Sequence, residues 1–292
     1  MLRLVIPKGS LENQTLALFE AADIRLMRGS DRDYHGTVDD PRVDRFSLLR
    51  PQEIPGYVED GFFDVGLTGL DWVHETGADV ELIAELPYTK GYVGAKVKIV
   101  LAVAEESGIT EATQIKPDSR ISTEYPNLTR ALFESIGVPV KIFMSYGATE
   151  AKVPEIVDAI VDVTETGSTL RRNGMRIIHT LLESPTQLIA NPAAYQDPSK
   201  RQAIEEIKIL LMGAIDAKGK VLVKLNVTEG DLDKVIGVLP SLKAPTISRL
   251  AEEGFYAIET VVEKTKINLL IPTLKAQGAT DILEIPITKI VD

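Results

Sequence analysis

The stretch Asp158-Ala-Ile-Val-Asp-Val-Thr-Glu-Thr-Gly-Ser-Thr-Leu-Arg-Arg-Asn-Gly174 joins a short apolar segment to a polar turn and the start of a helical pattern. Residues 159–163 predict a buried strand, and residues 164–168 predict a turn. Hydroxyls and backbone N–H groups gather where the helix begins, and the partial positive charge of those N–H groups favours a phosphate. Gly167 has no Cβ, so a ligand can approach the backbone closely. The residues expected to hold the phosphate are Thr166, Gly167, Ser168 and Thr169.

Two carboxylates precede this turn. Asp158 and Asp162 are acceptor-only groups when ionised, which suits sugar hydroxyls or a metal ion. A simpler interpretation is a structural joint in which Thr166 or Ser168 caps the helix. The residues of this stretch alone leave both interpretations open.

The composition bounds the class of protein. With 292 residues, 44% hydrophobic and 26% charged, the chain is long enough for two or three globular domains. The absence of cysteine excludes disulfides, thiolate catalysis and cysteine-ligated metals. The formal net charge of −11 disfavours a nucleic-acid partner, whose phosphates the surface would repel. With no leader-like start and no apolar run of about 18 residues, we expect a soluble cytoplasmic protein that does not bind membranes.

The first 92 residues predict an α/β unit. Short apolar segments alternate with helical patterns, which implies an open α/β sheet. Strands are expected at 2–6, 44–49, 64–67 and 80–86. Two later segments, 177–181 and 188–190, are expected to return to this unit, and a long helix follows over 199–216.

A second α/β unit and a third domain follow. The second unit has expected strands at 97–104, 120–123, 140–143 and 159–163, and a crevice between two such lobes is a natural ligand site. After residue 216 the order becomes β-α-β-β-α-β, which is typical of a ferredoxin-like domain. In that domain we expect Thr265 to cap the second helix and Gly278 to end it. The predicted domains are 1–92 with 176–216, then 93–175, then 217–292.

Further candidate residues follow other predicted strands. Lys8 and Arg50 supply cations suited to phosphates, Thr68-Gly69 supplies a small turn, Tyr125 a flat ring and Glu150 a carboxylate. Taken alone, Lys8 is better explained as a solvated loop lysine and Thr68-Gly69 as a tight turn, and packing explains Tyr125 equally well. All of them lie at carboxyl ends of predicted strands, the edge where α/β sheets bind ligands. Together they predict a site for a phosphorylated sugar with a metal ion.

These motifs resemble those of the ATP phosphoribosyltransferase family, in its long form. The resemblance covers nearly the whole chain and is most specific in residues 162–170. One departure is Ser10, because many members carry arginine after Lys-Gly, and a contact made by that arginine is not expected here. The motifs that carry the resemblance are Pro7-Lys-Gly, Arg50-Pro-Gln-Glu-Ile-Pro55, Asp64-Val-Gly-Leu-Thr-Gly-Leu-Asp71, Thr123-Glu-Tyr-Pro-Asn127, Gly147-Ala-Thr-Glu150, Asp158 through Gly174, Leu239-Pro-Ser-Leu-Lys-Ala-Pro-Thr246 and Gln277-Gly-Ala-Thr280.

The resemblance implies an activity, a fold and ligands. The family transfers the phosphoribosyl group of phosphoribosyl pyrophosphate to nitrogen 1 of the adenine of ATP, with Mg²⁺, in the first step of histidine biosynthesis. It implies a two-lobed catalytic part that is similar to periplasmic binding proteins, followed by an ACT-like regulatory domain of ferredoxin-like fold. Histidine is implied as the feedback inhibitor and AMP as a further ligand. The implied assembly is a homo-oligomer between a dimer and a hexamer.

The resemblance also assigns roles to residues of this sequence. The residues expected to bind phosphoribosyl pyrophosphate are Glu150, Asp158, Ala159, Asp162, Thr166, Gly167, Ser168 and Thr169. Those expected to bind ATP are Lys8, Gly9, Arg50, Thr68, Gly69 and Tyr125. The expected catalytic residues are Asp158, Asp162 and Lys8, and the two aspartates are the expected metal ligands. The expected histidine effector site comprises Asn226, Leu242, Thr246 and Ala279.

Two other classes of protein are alternatives. A solute-binding module has the same two-lobed architecture, but it would leave the Thr166–Thr169 turn without a role. A catalytically silent regulatory subunit would be held by the ACT-like domain, but Lys8 and Asp162 argue against it. An assay with ATP, phosphoribosyl pyrophosphate and Mg²⁺ separates the three.

Overall fold

The computed structural model describes residues 1–89, 96–240 and 244–291. The chain divides into two compact units, Met1–Glu20 with Ile24–Lys208, and Ala21–Asp23 with Ile209–Asp292. The first unit contains a seven-stranded and a five-stranded sheet, and the second contains a four-stranded sheet. Within the described ranges, no helix is both long and apolar enough to cross a lipid bilayer.

Twelve strands of the described residues belong to the first unit. They are β1 (Leu2–Pro7), β2 (Arg25–Met27), β3 (His35–Asp39), β4 (Val43–Leu49), β5 (Val65–Gly69), β6 (Glu81–Leu86), β7 (Val97–Ala104), β8 (Arg120–Thr123), β9 (Lys141–Met144), β10 (Ala159–Thr164), β11 (Met175–Ser184) and β12 (Thr186–Ala190). The helices of the chain before residue 217 are α1 (Glu12–Ala21), α2 (Ile54–Glu59), α3 (Leu70–Thr76), α4 (Pro126–Ser135), α5 (Ser168–Arg172), α6 (Pro192–Gln196) and α7 (Pro198–Ala217).

The two sheets of the first unit form two α/β lobes. The first sheet has the order β2-β3-β4-β1-β5-β12-β6, in which β1 pairs in parallel with both β4 and β5. The second has the order β11-β7-β10-β8-β9, in which β8 pairs in parallel with β9 and β10. Because parallel strands end at the same edge, each sheet collects the loops after several strands at one edge. The predicted two-lobed α/β architecture is confirmed.

Hydrophobic burial places β7 in the interior of its sheet, between β11 and β10. Ile99, Leu101 and Val103 pack into one core cluster, and Val100 and Ala102 pack into another. All five side chains are at most 1% exposed. A strand buried on both faces is a continuous apolar run, which is why the sequence predicts its bounds correctly.

The strand β11 corrects one sequence expectation. We expected 177–181 to return to the first sheet, but β11 pairs antiparallel with β7 in the second. The next strand, β12, does return to the first sheet and pairs with β5 and β6. The chain therefore crosses between the sheets at Pro185. We propose that the second lobe extends to Ser184, nine residues beyond the boundary expected at 175.

The second unit has the predicted ferredoxin-like topology. Its strands β13 (Lys220–Thr228), β14 (Thr246–Arg249), β15 (Phe255–Glu263) and β16 (Thr280–Pro286) alternate with helices α8 (Leu232–Val238) and α9 (Lys264–Ala276) in the order βαββαβ. The sheet order is β14-β15-β13-β16. Alternate residues of β13, from Val221 to Val227, are buried in the core. Thr265 does not cap α9, because the N-cap position is Glu263, whereas Gly278 follows the end of the helix with a φ of 96° as expected.

A buried ion-pair cluster fastens α7 to the first sheet. Asp64, just before β5, is 2% exposed and accepts hydrogen bonds from Arg3 Nη2 at 3.1 Å and Lys200 Nζ at 2.8 Å. Burial alone would raise the pKa of Asp64, but the hydrogen bonds from Arg3 and Lys200 outweigh it and lower the pKa to about 2. The carboxylate therefore stays ionised and stabilises the folded chain.

We predict that Asp64→Asn destabilises the chain in a pH-dependent manner. A depressed carboxyl pKa contributes stability above the unfolded value, and that contribution is lost as the pH falls through the folded value. The variant should cost about 2–3 kcal/mol at pH 7, because it leaves two cations without their charged partner. Denaturant unfolding at several pH values should show this difference shrink between about pH 5 and pH 2. The exposed Asp60→Asn is the control, and a pH-independent difference would contradict the prediction.

Candidate active site

A cleft of about 550 Å³ lies where the carboxyl ends of strands from both sheets of the first unit meet. Loops after β1, β4 and β5 form one wall, and loops after β8 and β10 form the other. Ten residues predicted from the sequence line it together: Lys8, Gly9, Arg50, Gly69, Tyr125, Glu150, Asp162, Thr166, Ser168 and Thr169. The fold thus gathers most of the predicted site, although these residues span more than 160 positions of sequence.

The first-lobe wall carries two cations. Lys8 follows β1, and its backbone N–H donates to Leu49 O at 2.7 Å, which fixes the end of β1 beside the end of β4. The Lys8 ammonium lies 3.7 Å from the ring centre of Tyr34, a cation–π contact. Arg50 follows β4, with its guanidinium near Gly9. Two cations on one wall suit a polyphosphate.

The second-lobe wall carries the carboxylates of Glu124, Glu150, Asp162 and Glu165. Asp162, on β10, is partly buried, and its Oδ1 accepts the backbone N–H of Val163 at 2.7 Å. Burial, reinforced by the negative charges of Glu150 and Glu124, raises the pKa of Asp162 to about 6. A carboxylate held in this way is stabilised by a cation or by hydroxyl donors from a ligand.

The turn 164–169 has a defined hydrogen-bonding pattern. Gly167 is the N-cap of α5 with a φ of 70°, and its N–H donates to Thr164 Oγ1 at 2.8 Å. The Thr166 hydroxyl donates to Ser168 Oγ at 3.1 Å, and Thr166 Oγ1 accepts the Ser168 N–H at 3.4 Å, but the N-cap position is held by Gly167 and by neither of these residues. The simpler interpretation with Thr166 or Ser168 as N-cap is therefore wrong. Both hydroxyls line the cleft instead.

Asp158 and Ala159 do not line the cleft. Asp158 precedes the first residue of β10, where Arg120 donates to its carboxylate from the backbone N–H at 2.7 Å and from Nη2 at 2.9 Å. The hydrogen bond from Arg120 lowers the pKa of Asp158. Asp162 lies four positions further along the chain, about 13 Å away at the rise of an extended strand. The two aspartates therefore cannot share one metal ion, and Asp158 is corrected to an ion-pairing residue at the opposite end of the strand.

Two other predicted residues support the cleft from behind. The hydroxyl of Thr68 donates to Pro51 O at 2.8 Å, and its side chain is fully buried, so it fixes the turn after Arg50. Gly167 is also buried; a Cβ there would lie 2.9 Å from Arg171 Nη1 and 3.0 Å from Ile177 Cδ1. A side chain at 167 would therefore push against these two groups.

Sequence reasoning assigned no role to several residues that line the cleft, among them Asp71, Trp72, Glu124 and Ser184. Glu124 follows β8 directly and Asp71 lies two residues after β5, so the strand-end rule that found Lys8 and Arg50 could have found them as well. Ser184 ends β11, whose sheet the sequence did not predict.

The described residues offer limited metal-ligating chemistry. In the three described ranges, no group of three His, Cys, Asp or Glu side chains is arranged to hold a metal ion. Mg²⁺ is often held by one or two carboxylates together with substrate phosphates. Asp162, with Glu150 and Glu124 nearby, has the oxygen donors and the local negative charge for that mode of binding.

The expected effector residues lie in the second unit, apart from Leu242, which is outside the described residues. Asn226 on β13 pairs with Thr280, and its side chain donates to Asp281 Oδ2 at 2.9 Å. Ala279, next to Thr280, is buried in the core. Thr246 is exposed on β14, two strands away from β13. Asn226 and Ala279 thus lie close together within one chain, while Thr246 lies apart.

The fold and the cleft define a class: a two-lobed α/β protein with a polar interlobe cleft and a ferredoxin-like unit. The sequence model described as HisG, ATP phosphoribosyltransferase, matches residues 50–213, and that of the HisG C-terminal domain matches residues 217–289. The chain belongs to the ATP phosphoribosyltransferase family and is a pentosyltransferase. These matches confirm the resemblance found in the sequence, and they favour an enzyme over a solute-binding module or a catalytically silent subunit.

Individual members of this family are similar to the chain over most or all of its length. The ATP phosphoribosyltransferase of Desulforudis audaxviator is 46% identical over 290 residues, covering 99% of each chain. That of Solibacter usitatus is 46% identical over 291 residues, covering 100% of this chain and 99% of its own. The solved ATP phosphoribosyl transferase (HisG:HisZ) complex from Thermotoga maritima superimposes with a TM-score of 0.62 at 26% identity. That alignment covers 73% of this chain and 99% of the other.

We predict that Gly167→Ala perturbs the turn more than Gly174→Ala. Both glycines have a left-handed φ, 70° and 68°, so both variants carry the same backbone strain. Only the Cβ at 167 meets neighbouring groups, while nothing lies within 4 Å of a Cβ at 174. Gly167→Ala should lower the free energy of unfolding by about 1–2 kcal/mol more than its matched control, through this overpacking. If denaturant unfolding showed equal losses of unfolding free energy in the two variants, the predicted overpacking at 167 would be wrong.

Proposed function

We propose that this chain transfers the phosphoribosyl group of phosphoribosyl pyrophosphate to nitrogen 1 of the adenine of ATP. The products are phosphoribosyl-ATP and pyrophosphate, in the first step of histidine biosynthesis. The observation that carries the proposal is the cleft itself: in a member of this family, it opposes two cations to a hydroxyl-lined turn and a carboxylate cluster.

The chemistry requires no enzyme nucleophile. The lone pair of adenine nitrogen 1 forms the new bond to C1′ of the ribose while the bond from C1′ to the pyrophosphate oxygen breaks. The exocyclic amine then loses a proton. The transition state resembles an oxocarbenium ion with a departing anion, so the protein contributes positioning and charge stabilisation.

Each wall has a separate task in this mechanism. The Thr166, Ser168 and Thr169 hydroxyls, which line the cleft, bind the 5′-phosphate of the sugar, and Gly167 shapes the turn that carries them. Lys8 and Arg50 bind the pyrophosphate or the phosphates of ATP, and Tyr125 lies against the adenine or its ribose. Asp162 and Glu150 bind the ribose hydroxyls of the donor, where negative charge also stabilises a cationic ring.

Mg²⁺ is the proposed cofactor. Asp162 is the proposed protein ligand, with Glu150 and Glu124 supplying further negative charge. When bound, the ion neutralises charge on the leaving pyrophosphate. Asp158 is not proposed as a ligand because it is paired with Arg120 at the other end of β10.

The second unit is the proposed regulatory domain. Histidine is the proposed feedback inhibitor, at a site that includes Asn226 and Ala279, with Thr246 and Leu242 supplied by the same or a neighbouring subunit. AMP is a further proposed ligand. We also propose a cytoplasmic homo-oligomer between a dimer and a hexamer. The solved relative from Thermotoga maritima is itself a complex, which supports assembly in this family.

A direct assay tests the activity. Protein mixed with ATP, phosphoribosyl pyrophosphate and Mg²⁺ should change the near-ultraviolet absorbance of the adenine ring, and histidine should slow that change. The double variant Ser168→Ala/Thr169→Val should lose about 10²–10⁴ in kcat/KM, because two charge-assisted hydrogen bonds of about 1.5–3 kcal/mol each are removed. No absorbance change with the wild-type chain, or an undiminished rate in the variant, would reject the respective assignment.

The pH dependence tests Asp162. Its raised pKa, about 6, means that the carboxylate is mostly protonated below pH 6 and ionised above it. Because the ionised form binds the cation and the ribose, kcat/KM should rise with pH up to about 6 and then level off, about tenfold per unit on the rising limb. The Asp162→Asn variant should have a low kcat/KM at every pH.

Asp158→Asn is the matched control for that experiment. It removes an equivalent charge from the same strand but breaks only an exposed ion pair with Arg120, so its pH profile should follow the wild type. If Asp158→Asn lowered kcat/KM as much as Asp162→Asn, the expectation from the sequence that Asp158 is a catalytic residue would be restored.

A further inference from the structure

A buried carboxylate connects three elements beside the cleft. Asp71, in the first turn of α3, is 4% exposed. Its Oδ1 accepts the Ser184 hydroxyl at 2.6 Å, and its Oδ2 accepts the Tyr125 hydroxyl at 2.8 Å. Ser184 is the last residue of β11, where the chain crosses between the sheets, and Tyr125 precedes α4 in the second lobe. One side chain of the first lobe thus holds the crossover and the second lobe.

The backbone around Asp71 reinforces this contact. The N–H of Leu70 donates to Pro185 O at 3.0 Å, and the N–H of Asp71 donates to Ser184 Oγ at 2.9 Å. A Cβ at Gly69 would lie 2.0 Å from Asp71 Oδ1, so the carboxylate packs directly against the backbone at the end of β5. Gly69 therefore provides the space that the carboxylate occupies.

The second lobe is held at more than one point. The Tyr125 ring stacks on Trp72, with ring centres 4.5 Å apart and an angle of 24° between the planes. The carboxylate of Glu75, at the other end of α3, accepts the backbone N–H groups of Asn127 and Leu128 at 2.8 and 2.9 Å. Trp72 and Tyr125 both line the cleft, so this contact shapes one of its walls.

The energetics make the orientation of Tyr125 specific. Burial raises the pKa of Asp71, and the hydrogen bonds from Ser184 and Tyr125 oppose that increase. A buried carboxylate without donors is costly, so rotating the Tyr125 hydroxyl away from Asp71 carries a penalty beyond the loss of a neutral hydrogen bond. The aromatic wall is therefore held by the carboxylate as well as by stacking.

We propose that Asp71 is a positioning residue: through the hydroxyls of Tyr125 and Ser184, it holds the Trp72–Tyr125 wall of the cleft in place. The identity of the ligand that lies against this wall rests on the proposed function. The arrangement of the wall does not, and the two can be tested separately.

Trp72 supplies a readout that needs no activity. It is the single tryptophan of the chain, so the intrinsic tryptophan fluorescence reports the surroundings of Trp72, which include its stacking on Tyr125. Tyr125→Phe keeps an aromatic ring but removes the hydroxyl, and Asp71→Asn removes the charge at nearly constant shape. Both variants should make Trp72 fluorescence easier to quench with acrylamide while the chain remains folded by circular dichroism. Unchanged quenching in both would overturn the proposal.

Kinetics provide the second arm. Each single variant should lower kcat/KM by about tenfold, or about 1.4 kcal/mol. The double variant should lose little more than the larger single loss, because both changes break the same hydrogen bond. Additive losses of about a hundredfold would overturn the coupling between Asp71 and Tyr125. Should the wild-type chain lack the proposed transferase activity, the fluorescence arm still decides.

A matched control separates positioning from general destabilisation. Tyr57→Phe removes the hydroxyl of a tyrosine on α2 that contacts Phe62 edge to face and does not line the cleft. It should leave Trp72 quenching and kcat/KM unchanged. If Asp71→Asn fails to fold, Tyr125→Phe carries the test alone, since it only deletes one oxygen. A variant that lowers the melting temperature but leaves both readouts at wild-type values would show a structural role only.

Discussion

Parallel pairing of buried strands is the constraint on which the site depends. β1 lies between β4 and β5, and β8 lies between β9 and β10, so the loops after these strands emerge at one edge of each sheet. The apolar strands cannot move relative to one another without exposing side chains that are almost fully buried. Short polar loops are consequently held in place by a core that has no chemical role of its own. The proposed catalytic groups are positioned by this packing, and they belong to the few residues that follow each strand.

The two walls of the cleft differ in their electrostatics. Lys8 and Arg50 lie on the first-lobe wall, and Asp162, Glu150 and Glu124 lie on the second. This separation suits a reaction in which an anion leaves while positive charge develops on a sugar ring, because each charge can face its complement. The aromatic pair beside Asp71 adds a flat surface to an otherwise polar cleft.

The sequence predicts the buried parts of this fold better than the exposed ones. The bounds of β7 and β8 agree with the expectation because their apolar runs are buried in the sheet, whereas the exposed β2 and β3 carry no such pattern and were missed. The β11 strand was assigned to the wrong sheet because its pairing with β7 is non-local. Asp158 and Asp162 have the same chemistry and lie four positions apart, but spacing along a strand does not reveal which end faces a ligand. The contact of Asp71 with Ser184 joins residues 113 positions apart and has no local signal.

The path of the chain through the first sheet has a consequence for biosynthesis. The strand β12 lies between β5 and β6, yet it is made only after the whole second lobe has been synthesised. During translation, β5 and β6 therefore each have one edge without a hydrogen-bonding partner until β12 is made. Such unpaired edges are prone to improper association. The first lobe cannot be cut out as a contiguous gene fragment without losing β12, an interior strand of its sheet. In a circular permutant that begins inside the second lobe, β12 would be synthesised before β5 and β6, so these two strands would meet their shared partner as they emerge.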